Sequence, residues 1–303
     1  MSRNEDDVRE WSRSANARRR ATRTEVIDGT GLRAVVARPA LTTYLHLVWA
    51  RRHFIYADAR AHVVSGSRGM VLGSSWLVLR PVLDATVYLV MFGVVLKTDR
   101  GIDNFLGYLI IGVFMFQFTS RCVSSGGQAL LSGKSLMRSF SFPRASLPVA
   151  TLVRELLRYV PVLMAMVLLI SLIPPTESVS WRWLLLPLVL GLQVLLCLGL
   201  TLIASRSVAR IPDLQHVIGL MTRFWLFGSG VFFSYERFID HPVALRLVEL
   251  NPMFVVLDMA RDCLLYATTP SLTSWAVLSA WSVGLAGVGI LYFWRGEERY
   301  GAL

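Results

Sequence analysis

The sequence predicts an all-α protein that crosses a membrane six times. Three observations carry that expectation. The 303 residues are 54% hydrophobic and only 17% charged, against about 25% charged in an average soluble domain. Mean hydropathy is +0.53, and the apolar residues gather in runs near the ~20 residues that a helix needs to cross the hydrocarbon core. Thirteen of the basic residues precede the first of these runs, where a cytosolic flank collects Arg and Lys. The net charge of +11 therefore reads as membrane-surface charge, and no nucleic-acid partner is expected.

Residues 1–41 are mixed in charge and poor in apolar residues, so they are predicted as a disordered basic cytosolic tail. They contain no apolar core of a cleavable signal peptide. The remainder, 42–303, forms one transmembrane domain. It opens with an amphipathic interface helix over 42–66, in which Tyr44, Leu45, Val48, Trp49 and Ile55 alternate with Arg51, Arg52, Asp58 and Arg60. That stretch is too charged to span and should lie along the cytosolic surface. Spans follow at about 71–96, 104–127, 147–173, 182–205, 213–235 and 272–294. Between the fifth and sixth, residues 236–270 form apolar pieces of about ten residues broken by Pro242, Pro252 and charges, the pattern of re-entrant or interfacial helices. With both termini in the cytosol, the connections carry 20 basic residues inside and 6 outside, as the positive-inside rule requires.

Chemistry is sparse. "SSGGQALLSGKSLMRSF" holds Gly127, Gly133, Lys134 and Ser135 in an order like a phosphate-binding loop. Five residues separate the two glycines where the loop needs four, and the preceding apolar run is far too long for a strand. Nucleotide binding is excluded on both counts. Cys122, Cys197 and Cys263 show no paired spacing, so neither a disulfide framework nor a metal site is expected. No nucleophile or metal-protease motif is present. Asp258 and Asp262 lie at i and i+4 beside Arg261, and ion pairing is the expected use.

Charges within predicted spans are costly and so are candidates for function. Arg80 and Asp84 sit one turn apart, Arg154, Glu155 and Arg158 cluster at the inner end of the third span, and Arg121 and Arg223 are single. Local neutralisation or snorkelling to headgroups competes with a functional role. Aromatic residues crowd the outer part of the fifth span, among them Trp225, Phe232 and Tyr235, and others occupy the first two, including Trp76, Tyr88, Phe114 and Phe118. An interfacial belt accounts for such a distribution as readily as a functional surface.

Taken in order, "LGSSWLVLRPVLDATVYLVMFGVVLK", "SSGGQALLSGKSLMRSFSFPRASLPVA", "ELNPMFVVLDMARDCLLYATTPS" and the terminal "FWRGEERYG" resemble the membrane subunits of ABC-2-type exporters of lipid-linked polysaccharides. These permeases export O-antigen, teichoic acid and cell-wall galactan precursors. The resemblance covers most of the chain from about Thr42 to Gly301. It implies a multi-pass permease of the bacterial plasma membrane that works as a homodimer with two copies of a separate ABC ATPase. ATP and Mg would then belong to the ATPase, and this chain would hold no cofactor of its own. It also implies that 132–142 is a coupling helix docking on the ATPase through Lys134, Ser135, Leu136, Met137, Arg138 and Phe140. The expected cargo is a polyprenyl-pyrophosphate-linked glycan, with a galactan precursor the first candidate. Arg80, Arg154 and Arg158 would meet its pyrophosphate, and Trp76, Tyr88, Phe114, Phe118, Trp225, Phe232 and Tyr235 would stack along its sugars. Gly284, Gly287 and Gly289 are expected between the two copies. A drug or lipid exporter of the same superfamily is the nearest rival. A membrane-embedded transferase is the next, and it lacks the clustered carboxylates a divalent metal would need.

Overall fold

The computed structural model describes residues 39–65, 73–76, 79, 82–83, 86–87, 90–91, 104–139, 142–172, 180–233, 235 and 248–298. All lie in one compact unit, 38–303. The described residues form helices and connections with no strand. The tail, most of the first predicted span and residues 236–247 lie outside them, as do Arg80, Asp84, Tyr88, Phe140 and the Arg138 side chain.

The interface helix is two helices. α1 (Leu41–Ala50) and α2 (Arg52–Ser65) meet at Arg51, whose N–H still reaches the Val48 carbonyl at 3.1 Å. Tyr44, Ile55 and Ala59 turn inward, whereas Trp49 is 68% exposed.

Among the described residues, four helical segments are long and apolar enough to cross a membrane. α3 (Phe105–Ser132) begins where the Asn104 side chain accepts from Gly107 N–H at 2.9 Å and ends at Gly133. α4 (Lys134–Ser139) is a single short turn of helix. α5 (Ser146–Leu172) runs through Pro161. A 3-10 turn, Trp181–Leu185, leads into α6 (Leu186–Arg210), which Ile211 and Pro212 terminate. α7 (Leu214–Phe227) and α8 (Pro252–Leu264) are 14 and 13 residues long, about 20 Å each at 1.5 Å per residue. α9 (Leu272–Trp294) closes the set and coincides with the expected sixth span.

Within the expected fifth span, 213–235, the helix stops at Phe227. The cause lies in the neighbours. The Asn251 amide donates to the Gly228 carbonyl at 2.7 Å, and the Tyr108 hydroxyl lies 2.8 Å from the Gly230 carbonyl and 2.9 Å from that of Phe233. Arg261 donates to Gly230 as well, at 3.0 Å. Carbonyls that a continuing helix would use along its own axis are satisfied sideways, and Gly230 adopts φ +64°, a conformation that glycine enters at little cost.

α3 is the centre of the bundle, buried from Gly107 to Phe116 without a break. α6 lies parallel to it, stitched by buried polar groups: Gln193 donates to the Met115 carbonyl (2.9 Å) and to Thr119 (3.0 Å), and Thr201 donates to the Cys122 carbonyl (3.1 Å). α9 lies parallel to α6, and a Cβ added at Gly289 would come within 2.6 Å of the Gly199 carbonyl oxygen. α5 runs the opposite way, with Tyr159 stacked on Phe118 at 4.6 Å between centroids. α8 is buried among α3, α6 and α9, with Met253, Val256, Leu257, Met259 and Ala260 fully buried.

Candidate functional site

Two regions bring together the residues that sequence reasoning singled out. The first is a junction at one end of the bundle, where α3, α6 and α9 finish and α5 begins. Gly133 ends α3 so close to Leu147 that a Cβ there would collide with that side chain. α4 follows at once, the Met137 N–H bonding to the Gly133 carbonyl at 3.0 Å. Within the expected coupling helix, 132–142, the described helical residues are Ser132, the last of α3, and Lys134–Ser139. Ser135 is exposed and Lys134 half-buried, whereas Leu136 and Met137 pack inward against a cluster that includes Tyr44, Leu147 and Phe293. The Phe142 ring lies 5.8 Å from that of Phe54.

Glu297 holds this junction together. Its carboxylate accepts from the Tyr44 hydroxyl at 2.7 Å and from the Arg144 N–H at 3.0 Å. The Tyr44 oxygen accepts in turn from the Ala145 N–H at 3.1 Å. The Arg144 guanidinium donates to the Glu297 carbonyl, and the Trp294 indole to that of Pro39 at 2.9 Å. One carboxylate therefore fastens the interface helix, the start of α5 and the segment that follows α9. Burial raises the Glu297 carboxyl above its ordinary value, against the opposing pull of the Arg144 N–H, the Tyr44 hydroxyl and the Arg144 charge. No local pattern marks Glu297, because its partners lie 153 and 253 residues away in sequence.

The second region is α7. Among its residues only Thr222 is buried. His216, Leu220, Arg223, Phe224 and Phe227 are exposed and recur at helical spacing. Arg223 stands about 14 Å along the helix from Leu214. A cation in an apolar stripe that entered the hydrocarbon would call for water, a partner or an anionic ligand rather than lipid tails.

The remaining candidates divide by burial. Phe114 and Phe118 are core residues at 0% and 3% exposed, and Phe232 is buried at 7%; these rings are packed within the chain. Trp225 is partly buried, donating to Asn251 Oδ1 at 2.9 Å and meeting Phe116 edge-on. Tyr235 packs on Phe233 and Phe254 and donates to the Phe227 carbonyl at 2.8 Å. Trp76 is 40% exposed. Arg154 and Arg158 flank the buried Glu155 at 3.9 and 3.3 Å, so local neutralisation accounts for part of that cluster. Gly289 is spent on Gly199 within the protomer, while Gly284 and Gly287 face open space.

Of the expected Asp258–Arg261–Asp262 grouping, Arg261 and Asp262 each have further partners. Arg261 is fully buried with its guanidinium over the Tyr108 ring at 3.3 Å, and Asp262 accepts from Thr268 at 2.9 Å. A buried arginine whose Nη2 donates to the Tyr108 and Gly230 carbonyls, with its guanidinium over the Tyr108 ring, braces the end of α7 against α3. Among the described residues no cluster of His, Cys, Asp or Glu could hold a metal.

Comparison with known proteins agrees with this architecture. Over 233 residues the chain is 26% identical to the O-antigen export system permease protein RfbA of Myxococcus xanthus, covering 77% of this chain and 88% of that protein. The corresponding permease of Klebsiella pneumoniae is 26% identical over 201 residues, 66% of this chain and 76% of its own length. The ABC-2 type transporter family profile matches residues 60–265, more than half of the chain and every described helix from the second half of α2 to the end of α8. The chain is a helical, multi-pass membrane protein belonging to the ABC-2 type transporter family.

Proposed function

We propose that this chain is the permease subunit of an exporter that carries a polyprenyl-pyrophosphate-linked polysaccharide from the cytosol to the outer side of the plasma membrane. A galactan precursor is the first candidate cargo. The permease works as a homodimer of six-span subunits with two copies of a separate ATPase, which supplies the ATP and Mg chemistry. α7 faces the path between the two copies, α8 enters and leaves the membrane on the outer side, and α4 is the contact with the ATPase.

The observation that carries this reading is the exposed stripe of α7. It combines Arg223, suited to a phosphate, with Phe224 and Phe227, whose faces suit sugar C–H groups. The names of the relatives, O-antigen export permeases, support a polysaccharide cargo, and the ABC-2 family supports the partner ATPase. Depleting the protein should trap lipid-linked glycan in the cytosolic leaflet, measured as increased lectin binding to the outer surface of inverted vesicles. Arg223→Ala should slow export about tenfold, since a charge-assisted bond is worth about 1.5–3 kcal/mol, with protein abundance unchanged. Normal surface polymer in depleted cells would refute the reading, and trapping of a different lipid-linked glycan would replace galactan as cargo.

A further inference from the structure

Beneath the interface helix lies a cavity of about 690 Å³, within the roughly 300–1,000 Å³ of ordinary ligand sites. Its roof is α1 and the start of α2, with Tyr44, Leu45, Val48 and Ile55. Its walls come from three other helices: Val149 and Val153 of α5, Leu198 and Leu202 of α6, and Ile290 and Phe293 of α9. The lining is almost wholly aliphatic or aromatic. Neither α3 nor α7 contributes to it, so it lies apart from the stripe assigned above to the cargo.

The rim differs in kind from the interior. Arg52 and His46 are the polar lining residues of helical segment 41–65 besides the tyrosines, and the exposed Arg52 holds its guanidinium 5.8 Å from the exposed Trp49 ring. Arg51 is exposed at the break between α1 and α2. Among the described residues neither arginine is paired with a carboxylate. The face they share carries the basic ends of the bundle: Lys134, Arg144, Arg206, Arg210 and Arg295. An apolar chamber at the depth of acyl chains, opening on unpaired guanidinium groups at the depth of headgroups, is complementary to one class of molecule.

We propose that this cavity is a binding site for an anionic phospholipid of the cytosolic leaflet. One acyl chain fills the space between α1, α5, α6 and α9, and the phosphate rests on Arg51 and Arg52. Phosphate is recognised by the planar guanidinium fork, and the chain is held by apolar burial. The lipid would seat the interface helix on the bundle, so membrane composition would set how firmly α1 is held.

The test uses the full chain in nanodiscs with photoreactive phosphatidylglycerol bearing a diazirine near the end of one acyl chain. Crosslinks should map to peptides containing Val153 and Leu202, and unlabelled phosphatidylglycerol should compete while phosphatidylcholine does not. Leu202→Trp, which fills the chamber, should cut labelling at least fivefold. Arg51→Ala with Arg52→Ala alters only exposed side chains and should also cut it at least fivefold, since each basic group near an anionic surface is worth about that factor. Equal labelling by a phosphatidylcholine probe, or labelling indifferent to both variants, would overturn the proposal. So would competition by a polyprenyl phosphate but not by phosphatidylglycerol, which would give the cavity to the cargo. Labelling is read without transport, so this result is independent of the export assay.

Discussion

At the scale of single residues, Glu297 makes the sharpest demands. Both carboxylate oxygens are engaged, one by the Tyr44 hydroxyl and one by the Arg144 N–H. Glutamine presents one acceptor and one donor, so Glu297→Gln must lose one of these bonds, and Glu297→Ala orphans both donors at about 1–3 kcal/mol each. The pH dependence has a definite sign. Burial raises this carboxyl, so the folded chain holds its proton to higher pH than the unfolded chain does. Its contribution is then largest below the unfolded value and is lost as pH rises through the folded value. The difference in melting temperature between wild type and Glu297→Gln in detergent should shrink from pH 4 upward. A difference that grows with pH would mean that the carboxylate is favoured in the fold. Nothing in "FWRGEERYG" distinguishes Glu297 from Glu298, and that is why sequence reasoning passed over it: the distinction is made by Tyr44 and Arg144, both remote in the chain.

At the scale of elements, what was legible depended on whether the signal was local. α9 is bounded by a Ser271 cap and an uninterrupted apolar run, and its limits follow from the sequence. α3 and α5 are nearly as plain, since their caps and lengths are written in adjacent residues. α7 is not, because "FGSGVFF" continues the apolar run that the sequence presents as a span. Its end is set by Tyr108, Asn251 and Arg261 reaching in from other helices. α4 illustrates a second limit. Hydropathy marks Leu136 and Met137 as the sticky pair of a docking helix, yet they pack toward the cluster of Tyr44 and Phe293, while Ser135 is exposed and Lys134 half-buried. If α4 meets the ATPase, Lys134→Glu should weaken co-purification of the two proteins while shifting the permease's own stability by less than about 0.5 kcal/mol. Met137→Glu should lower both, because it buries a charge in the junction. Unchanged co-purification with Lys134→Glu would move the docking surface elsewhere.

At the scale of the whole molecule, the hydrogen bonds fix the relative directions of the described long helices. α3, α6 and α9 run parallel and α5 runs against them, so the ends of the first three and the start of α5 share one face. The Tyr44–Glu297 bond places α1 on that same face, and Lys134, Arg144, Arg206, Arg210 and Arg295 all lie there. The positive-inside rule assigns it to the cytosol. The prediction is open to single-cysteine labelling in the native background, because Cys122, Cys197 and Cys263 are all fully buried and should stay silent. Ser65→Cys and Glu298→Cys, both at exposed positions, should react with a membrane-impermeant maleimide only in inverted vesicles. Ser271→Cys, at the far end of α9, should react in intact spheroplasts. Labelling of Ser65→Cys and Glu298→Cys from opposite sides would be incompatible with Tyr44 bonded to Glu297. Labelling of Ser271→Cys and Glu298→Cys from the same side would mean that α9 does not span, and the exporter architecture would fail with it.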